Sequence, residues 1–81
     1  MRVIKFGIIG CGLMGKEFAS AVARWCHLQI LNAKPEIVAV CDKNDSLFSW
    51  YKDNIPSVSQ FSTDYQDLLN NKEVEAIYCA V

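Results

Sequence analysis

The glycine-rich stretch GCGLMG, which contains Gly10, Gly12 and Gly15, constrains the fold of this chain more than any other feature. The apolar, β-branched run from Val3 to Ile9 precedes it, as expected of a buried parallel strand. From Leu13 onward the apolar residues recur at helical spacing. Glycine costs conformational entropy in ordered structure. Three glycines at a strand-to-helix junction therefore indicate a backbone that something must approach very closely.

Strand and helix signals alternate along the rest of the chain, which predicts right-handed βαβ units and a parallel sheet with helices on both faces. The expected fold is therefore α/β, a Rossmann-like doubly wound sheet of about four strands. After the first strand, further strands are predicted at Glu36 to Cys41, Ser57 to Phe61 and Val74 to Val81. One helix is predicted from Leu13 to about Leu31, ended before Pro35, and a short second helix is capped by Asp45 or Ser46 and ended by Pro56. The third predicted helix has Thr63 and Gln66 at capping-box spacing and an apolar face of Tyr65, Leu68 and Leu69.

Composition argues against two classes of partner. The chain has 81 residues, enough for one small domain, and its net charge of −1 leaves no basic excess for nucleic acid. A membrane span is not expected, because no run of about 20 uncharged apolar residues occurs. A signal peptide is not expected either, since Lys5 and then glycines interrupt the apolar N-terminal run.

The four cysteines are Cys11, Cys26, Cys41 and Cys79, and the absence of a C-x-x-C pair leaves zinc without support. A reduced, cytoplasmic protein is the simpler interpretation. Cys11 has two interpretations. It is either a small residue between two glycines, which we favour, or a thiol whose pKa is lowered by the N-terminus of the following helix.

The G-x-G-x-x-G spacing becomes a strong signal when a strand precedes it, a helix follows it and an acidic residue ends the next strand. All three conditions hold here. Gly10 is expected to make the tight turn, Gly12 to let the backbone approach a pyrophosphate, and Gly15 to let the helix pack closely. Free N–H groups near Leu13 and Met14 then face the phosphates. The alternative is a tight strand-to-helix turn with no ligand.

Asp42, directly after the second predicted strand, is the candidate for the adenosine ribose. Its carboxylate can accept hydrogen bonds from the ribose hydroxyls and repels a 2′-phosphate, which favours NAD over NADP. The neighbouring Lys43 can accommodate a phosphate, so NADP stays possible. Asp42 lies 27 residues after Gly15, whereas the usual interval is about 20; the stretch CHLQILNAK is expected to absorb the excess. The alternative for Asp42 is a solvated turn residue.

The remaining polar and aromatic candidates have simpler structural explanations. A lone histidine without a nearby partner is more often a surface or packed residue than a catalyst. Aromatic residues at helical spacing usually pack, and acidic residues at a helix start interact with its dipole. The first explanation applies to His27, and the second applies to Trp25, Trp50 and Tyr51. The third applies to Asp64 and Asp67.

Three segments in order, KFGIIGCGLMGKEFA, EIVAVCDKN and TDYQDLLNNKEVEAIYCAV, resemble the N-terminal domain of the Gfo/Idh/MocA oxidoreductases across essentially the whole chain. The resemblance implies a domain that binds NAD or NADP and serves hydride transfer on a sugar-like or polyol substrate. The matching positions are Gly10, Cys11, Gly12, Leu13, Met14 and Gly15 for the pyrophosphate loop, Asp42 and Lys43 for the adenosine ribose, and Cys79, Ala80 and Val81 for the strand end beside the cofactor's ribose and nicotinamide.

Val81 stands where the family commonly has threonine. The family's Glu–Lys–Pro motif and its C-terminal substrate domain are not in this sequence, so we assign no catalytic residue. Residues 1–81 are expected to be the N-terminal part of a longer enzyme that is a homo-oligomer in full length. Two other functions stay open: another dehydrogenase of the homoserine or amino-acid type, and a non-catalytic NAD(P)-sensing module, since fold does not fix function.

Overall fold

A computed structural model describes residues 2–24 and 33–80, which alternate between strand and helix as predicted. The elements are β1 (Arg2–Ile9), α1 (Leu13–Ala23), β2 (Ala33–Cys41), α2 (Phe48–Asn54), β3 (Gln60–Ser62), α3 (Tyr65–Leu69) and β4 (Ala76–Cys79), with a 3-10 turn at Asp45–Leu47 before α2. Across this described part of the chain, no helix is long and apolar enough to cross a membrane.

The strands form one parallel sheet in the order β3-β2-β1-β4. This order puts β1 and β2 side by side, with the later strands added on either flank. Because all four strands run in the same direction, their carboxyl ends meet at one edge of the sheet, where open α/β sheets bind ligands. The predicted Rossmann-like fold class is confirmed.

Helices cover both faces of the sheet, as predicted. The larger core lies under α1 and α2, and the smaller one lies under α3. The buried residues of the larger core are Ile8, Cys11, Ala19, Ile37, Val40, Phe48, Tyr51, Ile55 and Val58. Those of the smaller core are Val38, Ala39, Cys41 and Leu68.

A bulge in β2 changes which face its side chains cover. Phe6 pairs with Ile37 and Gly7 pairs with Ala39, so Val38 is an extra residue on the β2 side. Two consecutive side chains, those of Val38 and Ala39, therefore enter the same core.

The first residues of β2 and of its neighbour β3 differ from the sequence prediction. The strand begins at Ala33 rather than Glu36 and includes Pro35, which lies opposite Ile4 of β1. Proline is tolerated there because β3 pairs only with Ala39–Cys41, so its missing N–H faces no described strand. On the other side, β3 begins at Gln60 rather than Ser57.

The serines before β3 explain its late start. The Ser57 hydroxyl donates to the Ile37 carbonyl at 2.6 Å, and the Ser59 backbone N–H donates to the Val38 carbonyl at 2.9 Å. These contacts beside the bulge hold the segment to β2 before regular strand pairing begins at Gln60.

Helix ends and caps also differ from the prediction. α1 ends at Ala23 with Arg24 as its C-cap, well before Leu31; residues 25–32, including Trp25, Cys26 and His27, lie outside the described residues. The caps are asparagine and aspartate instead of the predicted residues. Asn44 replaces Asp45 or Ser46, and Asp64 replaces Thr63; their side chains accept from the N–H groups of Ser46 and Gln66.

Candidate functional site

The loop from Gly10 to Gly15 joins β1 to α1 at the carboxyl edge of the sheet. Gly10 has a φ of 99°, in the left-handed region that favours glycine, and its N–H donates to the Cys41 carbonyl at 2.8 Å. The predicted tight turn at Gly10 is confirmed, and it is anchored to the end of β2.

Gly15 allows α1 to pack directly against this loop. A Cβ atom at Gly15 would overlap the carbonyl oxygen of Gly10 and would lie 2.8 Å from the hydroxyl of Tyr51. The overlap is with a backbone atom of Gly10, so the movement of a side chain cannot relieve it. The predicted close packing at Gly15 is therefore confirmed.

Gly12 differs from the other two glycines, because neither backbone conformation nor packing requires it. Its φ is −73° and its ψ is −155°, which other residues adopt, and a Cβ atom there would have no atom within 4 Å. Gly12 is the N-cap of α1, and the exposed residues Leu13 and Met14 follow it. Helix N-termini present unpaired N–H groups and favour anions, and the space in front of this one is open.

Asp42 links three loops at the edge of the sheet. One carboxylate oxygen accepts from the Cys11 N–H at 2.8 Å, and the other accepts from the Asn44 N–H at 2.8 Å. The Asp42 N–H donates to the Ser62 carbonyl at 3.2 Å. Each carboxylate oxygen has two lone pairs, so both can accept a further hydrogen bond from a ligand. The structure thus brings Asp42 and the glycine loop into direct contact.

A cleft of about 420 Å³ opens beside Asp42 at the same edge. Two of its lining residues, Thr63 and Tyr65, are site residues that the sequence analysis missed. They follow β3, which pairs with β2, so they lie next to the residues that follow β2. The lining residues are Ile9, Gly10, Cys41, Asp42, Lys43, Thr63 and Tyr65.

Cys11 lies at the centre of the loop and is fully buried. Burial, and then the negative charge of Asp42, raise the pKa of its thiol to about 12. The thiol donates weakly to the Cys41 carbonyl at 3.5 Å. The possibility of a lowered thiol pKa is therefore wrong, and the favoured interpretation of Cys11 as a small packing residue agrees with the structure.

Tyr51 packs in the larger core, as expected of this aromatic, but it also contacts the loop. Its buried hydroxyl donates to the Cys11 carbonyl at 3.4 Å. Burial raises the pKa of this phenol, with Cys11 and Asp42 adding to the shift. No sequence signal predicts this contact, because the two residues lie 40 positions apart.

The remaining candidate residues are spread along the same edge. Lys43 is exposed beside Asp42. Ile9 is paired with Cys41 on one side and with Cys79 on the other, so β1 separates the exposed Cys79 from the end of β2. The Ala80 N–H donates to the Ile9 carbonyl at 2.8 Å. Val81 lies outside the described residues.

A parallel sheet with a glycine loop opening a helix and an acidic residue ending the next strand defines a dinucleotide-binding domain of the Rossmann class. The family model described as "Oxidoreductase family, NAD-binding Rossmann fold" (GFO_IDH_MocA) matches residues 4–81. The chain belongs to this family, and the resemblance found in the sequence is confirmed.

Solved structures with similar folds include several dehydrogenases. A levoglucosan dehydrogenase in complex with NADH and L-sorbose has a TM-score of 0.84 and 20% identity over 100% of this chain and 22% of that chain. A scyllo-inositol dehydrogenase from Lactobacillus casei with bound NAD(H) and scyllo-inositol has a TM-score of 0.75 and 25% identity over 99% of this chain and 22% of that chain.

The WlbA dehydrogenase from Bordetella pertussis in complex with NADH and UDP-GlcNAcA has a TM-score of 0.76 and 24% identity over 99% of this chain and 22% of that chain. This chain thus spans about a fifth of the length of each of these structures. Comparison with the curated proteins finds no match.

Proposed function

We propose that this chain supplies the NAD-binding part of an oxidoreductase that transfers a hydride between the cofactor and a hydroxyl of a sugar-like or polyol substrate. The observation that carries the proposal is the open backbone at Gly12, which directly follows Cys11, whose N–H donates to the Asp42 carboxylate. The substrate class has support from the similar dehydrogenases, whose structures contain L-sorbose, scyllo-inositol or UDP-GlcNAcA.

The residues present fit a dinucleotide. A glycine that neither backbone conformation nor packing requires leaves space for a phosphate against the main chain, and the N–H groups of Gly12, Leu13 and Met14 would hold it. Asp42 has free acceptor capacity for the ribose hydroxyls, and the cleft beside it has room for a flat base next to Tyr65. When bound, the cofactor supplies the hydride acceptor or donor, and these residues bind and orient it.

NAD is the preferred cofactor in this proposal. A 2′-phosphate on the ribose would meet the negative charge of Asp42, and the exposed Lys43 only partly offsets that repulsion because its charge is solvated. Cys79, Ala80 and Val81 would border the nicotinamide side of the site.

We assign no catalytic residue to this chain. The proposal is that residues 1–81 are the N-terminal part of the cofactor domain, and that substrate binding and acid–base catalysis use residues outside this sequence. A homo-oligomeric state and a cytoplasmic location stay predictions.

The test is the affinity of the full-length protein for NADH and NADPH, measured by nicotinamide fluorescence in the wild type and in Asp42→Ala. The wild type is expected to prefer NADH. The substitution removes both the ribose acceptor and the contact to Cys11, so NADH binding should weaken at least tenfold. The preference ratio should also shift toward NADPH, because the repulsive charge is gone.

The ratio of the NADH affinity to the NADPH affinity distinguishes loss of the ribose contact from disorder of the glycine loop. A disordered loop weakens both cofactors equally, whereas loss of the ribose contact changes their relative affinity. Lys43→Ala is the matched control, and it should lower NADPH affinity without lowering that for NADH. A folded wild type that binds neither cofactor would contradict the proposed function.

A further inference from the structure

Cys11, whose carbonyl forms the peptide bond with Gly12, makes a part-buried and a buried hydrogen bond to two different parts of the fold. On the N-terminal side, the Cys11 N–H donates to the Asp42 carboxylate at 2.8 Å. On the C-terminal side, the Cys11 carbonyl accepts from the Tyr51 hydroxyl at 3.4 Å. The two polar groups of one residue are thus held by the end of β2 and by α2.

The direction of the Cys11 carbonyl determines the direction of the Gly12 N–H. The two groups belong to one planar trans peptide, in which the C=O and the N–H point in opposite directions. Since Tyr51 lies in the core, the carbonyl points inward and the Gly12 N–H must point away from the core. That N–H then joins the open N-terminus of α1.

The position of Tyr51 depends on the glycine motif itself. The tyrosine is fully buried, and its hydroxyl lies 2.8 Å from the site that a Cβ atom of Gly15 would occupy. The distance of 3.4 Å to the Cys11 carbonyl is longer than the usual 2.7–2.8 Å of an O–H···O bond. Every buried side-chain nitrogen and oxygen within residues 2–24 and 33–80 nevertheless has a hydrogen-bond partner. The Tyr51 hydroxyl donates to the Cys11 carbonyl, and it also interacts with the Cys11 thiol.

We propose that Tyr51 is a positioning residue of the nucleotide-binding loop, whose hydroxyl holds the Cys11 carbonyl inward and thereby presents the Gly12 N–H to a phosphate of the ligand. The inference rests on the proposed function, because it requires a phosphate at the loop. Tyr51 itself does not contact the ligand. It acts through one peptide, so its effect is confined to ligands that carry phosphate next to Gly12.

The test compares Tyr51→Phe with the wild type in the full-length protein, with ADP and adenosine as ligands. Phenylalanine keeps the ring and removes only the hydroxyl. ADP affinity is expected to fall about fivefold, the size of one neutral hydrogen bond, whereas adenosine affinity stays unchanged. Tyr78→Phe is the matched control, because it removes the same hydroxyl from a ring that stacks on Phe18 of α1, with the ring centroids 4.1 Å apart.

A second readout observes the peptide directly. Cysteine precedes glycine only once in these 81 residues, at Cys11–Gly12. Labelling with carbonyl-¹³C cysteine and ¹⁵N glycine therefore gives one such amide signal from these residues in an NMR spectrum of the full-length protein, and the signal that Cys11→Ala removes is the one from Cys11–Gly12. Tyr51→Phe should move the signal in the ligand-free protein, and Tyr78→Phe should leave it in place.

Each outcome decides between the explanations. A fall in ADP affinity alone, together with the moved amide signal, supports the inference. Equal losses for ADP and adenosine would mean that Tyr51 only stabilises the fold, and unchanged ADP affinity would mean that its hydroxyl has no role; either result overturns the inference alone. A folded wild type that binds neither ligand would instead refute the proposed function, and the inference with it.

Discussion

The carboxylate of Asp42 accepts a hydrogen bond from the backbone N–H of Cys11 at 2.8 Å, which ties the end of β2 to the loop after β1. The sequence predicts this acid as a ligand of the ribose. The structure adds that Asp42 also fixes the loop after β1, because one carboxylate oxygen accepts from Cys11 while the other accepts from Asn44. One side chain thus combines a structural contact with its proposed role in binding.

Gly15 is required for packing, and we expect Gly15→Ala to destabilise the protein. The added methyl group overlaps the Gly10 carbonyl, so α1 and the loop must move apart. Overpacking of this kind costs about 1–3 kcal/mol or more. Urea unfolding of the full-length protein measures the loss, and Gly12→Ala is the control, because its methyl group enters open space. Equal stability of both variants would contradict the packing described here.

Asp64 caps α3, and Asp64→Ala should lower the free energy of unfolding by about 1 kcal/mol. Its carboxylate accepts from the Gln66 N–H at 2.9 Å at the start of the helix. Thr63→Ala should change stability by less than about 0.5 kcal/mol, since the exposed Thr63 is not the cap. A larger loss of stability for Thr63→Ala than for Asp64→Ala in thermal or urea unfolding would mean that Thr63 caps α3, as the sequence predicts.

Leu68 and Leu69 are adjacent on α3 but differ in burial, at 0% and 56% exposed. Leu68 packs in the smaller core, so Leu68→Ala should cost roughly 2–5 kcal/mol through lost burial and a cavity. Leu69→Ala should cost about 0.5 kcal/mol or less. Urea unfolding of both variants checks the contrast, and similar losses would mean that α3 is rotated relative to the structure described here.

The buried thiol of Cys11 makes stability depend on pH in the alkaline range. Its pKa is raised from 9.0 to about 12, chiefly by burial. Above pH 9 the unfolded chain therefore loses a proton that the folded protein retains, and the free energy of unfolding falls as pH rises toward 12. The contribution is at most about 1.4 kcal/mol per pH unit, and it is absent below pH 9.

The measurement compares the slopes of two proteins, so that any pH dependence common to both cancels. Urea unfolding at pH 8, 9 and 10 is expected to show a steeper loss in the wild type than in Cys11→Ala. Identical slopes would indicate that the Cys11 thiol is accessible to solvent in the folded protein.

The parts of the fold that follow from local sequence pattern could be predicted. Hydrophobic periodicity indicated all four strands and their helices, and the glycine spacing indicated the turn at Gly10 and the packing at Gly15. The end of β2 was predicted at Cys41, as observed, and this placed Asp42 at the edge of the sheet.

The remaining features depend on contacts between distant residues. The bulge at Val38 and the serine contacts beside it determine where β3 begins, and neither has a signature in the local sequence. The same applies to the contact between Tyr51 and Cys11. The caps at Asn44 and Asp64 were missed by one or two positions, because several neighbouring residues have side chains able to cap and only backbone conformation decides among them.

The most direct test of the central claim is a titration of NADH into the full-length protein, wild type and Gly12→Ala, with urea unfolding of both. The proposed phosphate site predicts saturable NADH binding that ADP displaces. It also predicts that Gly12→Ala weakens this binding at least tenfold while stability changes by less than about 1 kcal/mol, since the methyl group meets no protein atom but occupies the ligand's space. Equal NADH affinity in the two proteins, or no saturable binding by the folded wild type, would contradict it.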